Sequence, residues 1–210
     1  MADERLELLR QRFLETASVE DEAQWLRERL RVGELERKNA QTAAALGHAG
    51  CRLALDSQSK RTKRLEGSFH VLAQLNMEAL LRATALLLRA LSAEARQDPV
   101  WGDPLVRQAL GELEAWLVHP IPWNKAVLLR TIRNLPLPTN WRQQHEPAEV
   151  LGRVASWLES GVHERSRFLL LPLNQAPRGL RATLRKELIP WILGYGDPLA
   201  GEVRSDGTLP

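Results

Sequence analysis

With 210 residues, 44% of them hydrophobic, the chain can bury one sizeable core or two small ones, and its formal charge is only +3. Its longest apolar runs fall far short of the ~20 residues of a membrane helix. Asp3, Glu4 and Arg5 stand where a secretory leader would carry an apolar run, and the single cysteine, Cys51, excludes an internal disulfide. The expectation is a globular cytoplasmic protein without membrane association. Arginine outnumbers lysine 24 to 5, a bias that a GC-rich genome imposes as readily as a ligand. Charge is otherwise spread along the chain, without the dense basic stripe of a protein that lives on nucleic acid.

In chain order, Leu6, Leu9 and Phe13 fall at helical spacing. Ser18 with Asp21 is a capping signal for a second helix, in which Ala23, Leu26 and Leu30 share a face beside Trp25 and which Gly33 stops. A third helix ends at Leu46, where Gly47 can take the left-handed conformation, and Cys51 to Leu55 adds an apolar turn. The segment Asp21 to Leu55, with Trp25, Leu26, Leu30, Leu35 and the run Ala45-Leu46-Gly47-His48-Ala49, resembles short helical hairpins of poorly characterised bacterial proteins. That resemblance implies no activity.

From Asp56 to Arg64 no large apolar residue occurs, so the stretch cannot bury itself and reads as an exposed linker. The expected division is an N-terminal helical cluster at 1–58, a basic linker at 59–67, a helical-repeat domain at 68–193 and a flexible tail at 194–210. Beyond the linker, Ser68 to about Ala95 suits a long helix with a possible break at Asn76. Gln74, Glu78, Arg82 and Arg89 form its polar stripe, while leucines cover the remaining circumference; such a helix is central or faces a partner.

Further on, Leu110, Gly111, Leu113, Trp116 and Leu117 recur 41 residues later as Leu151, Gly152, Val154, Trp157 and Leu158. Val127 to Ile132 and Pro136 fall on Phe168 to Leu173 and Pro177 at the same offset, and a weaker copy lies one period upstream at Leu86 to Leu91. Two amphipathic helices after Pro104, another from Pro147, and a last one opened by Ala176 and Pro177 and ended or bent by Pro190 complete the pattern. A strand is conceivable only at Arg167 to Leu171. The fold class expected is all-α, as helical hairpins stacked into a short α-solenoid or an irregular bundle. In period and in two helices per unit the repeat resembles HEAT-type solenoids; the resemblance implies a scaffold that binds another protein.

Catalytic signatures are sparse: no phosphate loop, paired-His zinc signature or nucleophile elbow occurs. His48 and Cys51 place an imidazole near a thiol, but a buried thiol and a helix-end histidine explain the same spacing. No catalytic residue, metal ligand or cofactor is expected. The candidate contacts are Trp101, Trp123 and Trp141, which neighbour prolines and suit interface anchors, and Arg178, Arg181 and Arg185, spaced along one face of the last helix opposite Leu180, Leu184 and Leu188. Lys60, Arg61, Lys63 and Arg64 make the linker a candidate protease-sensitive site. The function expected is that of a non-enzymatic adaptor or regulatory protein of a bacterial cytoplasmic complex, binding a protein partner through its repeat surface. The alternative is a small nucleic-acid-binding subunit that uses the basic linker and last helix.

Overall fold

The computed structural model describes residues 2–56, 64–94, 103–135, 147–160, 176, 179–197 and 199. Ten α-helices and no strand are present among the described residues, so the fold is all-α. They are α1 (Ala2–Thr16), α2 (Val19–Val32), α3 (Arg37–Leu46), α4 (Ala49–Ala54), α5 (Leu65–Leu75), α6 (Met77–Glu94), α7 (Pro104–Val118), α8 (Pro122–Arg133), α9 (Pro147–Ser160) and α10 (Leu180–Ile192). None is long and apolar enough to cross a membrane.

Local signals set the helix ends. Ser18 Oγ accepts from the Asp21 N–H at 3.1 Å, and acidic residues fill the first turn of α2 while Arg29 and Arg31 occupy its last, complementing the helix dipole. Gly33 and Gly47, at φ 82° and 107°, close α2 and α3 in the left-handed conformation that side chains resist. Asn76 interrupts the long apolar pattern: its Oδ1 accepts from the Ala79 N–H at 2.7 Å and so separates α5 from α6.

The chain packs as two compact units. The first combines Met1–Leu75 with Arg185–Pro210, and the second is Asn76–Leu184. These boundaries depart from those expected at 58 and 67. Phe69 and Leu72 of α5 are buried and α5 packs on α3, so the segment 57–63, itself outside the described residues, joins two parts of one unit. The last helix also differs: α10 begins at Leu180, not beside Pro177, and continues past Pro190 to Ile192, because a proline in the final turn removes only one helical bond. Leu180, Leu184 and Leu188 are buried along it. Within the expected tail, Tyr195 is packed in the first unit. The possible strand at 167–171 lies outside the described residues.

In the second unit α7, α8 and α9 pack on one another and α7 packs on α6. Most of the circumference of α6 is buried, including Arg82 of the expected polar stripe, which is 2% exposed. Arg82 Nη2 donates to the Leu117 carbonyl at 2.8 Å, one of the terminal acceptors of α7, while its Nε donates to Glu78 Oε1 at 3.1 Å. The buried charge is thus paired and braces α6 against α7.

Candidate functional site

The first unit brings together residues that are far apart in sequence. His48 caps α4 with its ring: Nδ1 accepts from the Cys51 N–H at 3.2 Å. An accepting Nδ1 leaves the ring proton on Nε2, which lies 3.3 Å from Glu22 Oε1. The Tyr195 hydroxyl donates to the same oxygen at 3.3 Å. Trp25 stacks between Phe13 and Tyr195, with ring centroids 5.7 and 5.3 Å away, and the Arg29 guanidinium lies 5.1 Å from the Trp25 ring centre. Arg29 Nη1 also donates to the Leu193 carbonyl at 2.7 Å, and Asn39 Nδ2 to that of Ile192 at 3.1 Å, satisfying carbonyls at the buried C-terminal end of α10.

This arrangement is not a nucleophile and base. Burial first, then the Glu22 charge, push the Cys51 thiol up to about 12, so it stays protonated at neutral pH. Neither nitrogen of His48 is left to take its proton, since one accepts from the backbone and the other faces Glu22. Burial and Glu22 likewise hold the Tyr195 phenol above its ordinary value. The cluster ties the C-terminal end of α10 to α2 and α4. No group of side chains suited to a metal ion occurs among the described residues.

The second unit carries the better binding geometry. A cavity of about 320 Å³ lies between α6, α7 and α9, walled by Met77 and Leu81, by Trp116 and Leu117, by Trp157 and Leu158, and by Pro120 after α7. Among the described residues, Glu78 is its one charged lining residue. Trp116 and Trp157, the tryptophans of the 41-residue pattern, meet on this cavity and do not fill separate sites; Trp157 is buried and Trp116 half-buried. The paired glycines have no steric duty, because a Cβ at Gly111 or Gly152 would meet nothing. The helix that would complete the second copy, around 168–173, lies outside the described residues.

Of the candidate contacts, Trp123 is 73% exposed in the first turn of α8, close in sequence to Ile121, 51% exposed. Arg181 and Arg185 are half-buried on α10 with their Nε atoms buried. Arg64 is exposed just before α5. Trp101, Trp141, Arg178, Lys60, Arg61 and Lys63 lie outside the described residues. Sequence reasoning missed Glu22, Arg29 and Tyr195, whose meeting depends on contacts across more than 160 positions, and Met77 and Pro120, which no local pattern marks. The arrangement defines an all-helical protein with a tryptophan-walled apolar cavity. No protein-family model matches the chain, and comparison with curated proteins and with solved structures finds no similar protein.

Proposed function

We propose that this chain is a protein-binding adaptor whose second unit receives apolar side chains of a protein partner in the cavity between α6, α7 and α9. The observation that carries the reading is the convergence of Trp116 and Trp157 on that cavity. Indoles offer large rigid contact area and dominate binding hot spots. Cavities for small molecules run from roughly 300 to 1,000 Å³, so about 320 Å³ suits a side chain or two better than a large cofactor. Ile121, next in sequence to the cavity residue Pro120, and Trp123 in the first turn of α8 are exposed and offer further apolar surface to a partner. The nucleic-acid reading has weaker support, because Arg181 and Arg185 are half-buried on α10 and do not form a fully exposed basic face.

The test compares the tagged wild type with Leu158→Trp, which fills the cavity, in co-purification from the native host after nuclease treatment. The reading expects a protein recovered with the wild type and lost with a variant that melts normally. Equal recovery by both, or loss of the partner on nuclease treatment alone, would contradict it.

A further inference from the structure

In the first unit, α1 is an arm laid on an acidic and aromatic face of α2. Asp21, Trp25 and Glu28 stand at i, i+4 and i+7 and share that face. All three are buried, whereas no described side chain of α1 is. The arm is held by directed contacts. Arg12 Nε lies 2.8 Å from Asp21 Oδ1, Thr16 Oγ1 donates to Asp21 Oδ2 at 2.7 Å, Phe13 stacks on Trp25, and Arg5 Nε lies 3.8 Å from Glu28 Oε2. The face therefore recognises a helix with arginines seven residues apart and a phenylalanine beside the second.

The connection from α1 to α2 is only Ala17 and Ser18, and Ala17 sits at φ 48°, a left-handed conformation that a residue with a Cβ adopts at a cost. Returning Ala17 to helical angles relieves that cost and swings the arm away from its own α2. Short hinges under strain favour exchange of such elements between identical chains. We propose that α1 is exchanged between two copies of this chain, so that Arg5, Arg12 and Phe13 of each copy complete the Asp21, Trp25 and Glu28 face of the other. The occupant is a second copy because its α1 carries the complementary charges and ring in the required register.

Size-exclusion chromatography with light scattering, over a range of concentrations, tests the proposal through the hinge. Ala17→Gly removes the strain and should weaken dimerisation about tenfold or more, and Ala17→Val, whose branched side chain resists the left-handed angles, should strengthen it by a similar factor. A second arm uses Arg12→Glu and Asp21→Arg. Each variant alone opposes like charges. Mixing them pairs the introduced carboxylate of one chain with the introduced guanidinium of the other in one contact and restores the native Arg12 and Asp21 pair in the second, so the mixture should form a heterodimer that neither variant forms alone. Circular dichroism verifies that each variant keeps its helix content, and if either charge variant does not, the Ala17 pair decides alone. A monomer at every concentration in both wild type and Ala17→Val would overturn the proposal. So would a dimer indifferent to the hinge, or a mixture of folded charge variants that stays monomeric.

Discussion

Glu22 can approach α4 closely because position 50 is a glycine. A Cβ there would fall within 3.0 Å of the Glu22 side chain and drive the carboxylate away from His48 and Tyr195. Gly50→Ala should therefore lose ~1 to 3 kcal/mol of stability, the usual cost of overpacking, measured by urea unfolding. Cys51 gives a second expectation at this scale. Its thiol should resist a thiol reagent at pH 8 in the native protein and react readily once urea unfolds the chain. The native state keeps the proton between the ordinary 9.0 and about 12, while the unfolded chain releases it, so stability should fall as pH rises through that interval. The pairing of His48 with Cys51 was visible in the sequence as a spacing, but its meaning was not. Only burial and the distant Glu22 and Tyr195 show that the ring caps a helix and the thiol is silent.

At the scale of elements, the contact of α1 with α2 depends on an ionised Asp21. The Thr16 hydroxyl first, then Ser18 and the Arg12 charge, hold that carboxyl below its ordinary 3.8, against the opposing effect of burial. A depressed carboxyl contributes stability that is present above 3.8 and lost as pH falls through the native value. Acidification should thus free α1 before the rest of the unit unfolds, read as a loss of hydrogen-exchange protection in residues 3–16 relative to the intrinsic rate at each pH. In the second unit Trp157→Ala should cost ~3 to 5 kcal/mol, as loss of a buried large aromatic does. Trp116→Ala should cost less, because Trp116 is only half-buried. Chemical denaturation of the two variants checks the order. These elements were the most legible part of the chain: Ser18, Gly33, Gly47, Asn76 and Pro147 act through their own neighbours, so their effects can be read locally. Arg82 was not legible, because a helical stripe does not reveal that another helix's terminal carbonyl covers it.

For the whole molecule, the first unit is assembled from both ends of the chain, with residues 76–184 inserted between them. The change in composition at 56–64 pointed to a boundary, but composition reports exposure and not which segments pack together. The packing of α5 on α3 and the stacking of Tyr195 on Trp25 of α2 decide that division. The cavity was half legible: the recurring Trp116 and Trp157 were singled out by spacing, while their convergence requires the packing of α7 on α9. The central claim is that this cavity receives a protein partner. Its most direct measurement places a photo-crosslinking amino acid at Leu158 in the cavity, or at the exposed Leu53 of the first unit as a control, in the living host. The account predicts one discrete crosslinked protein from position 158 and none of that mass from position 53. No adduct from position 158, or the same adduct from both positions, would contradict it.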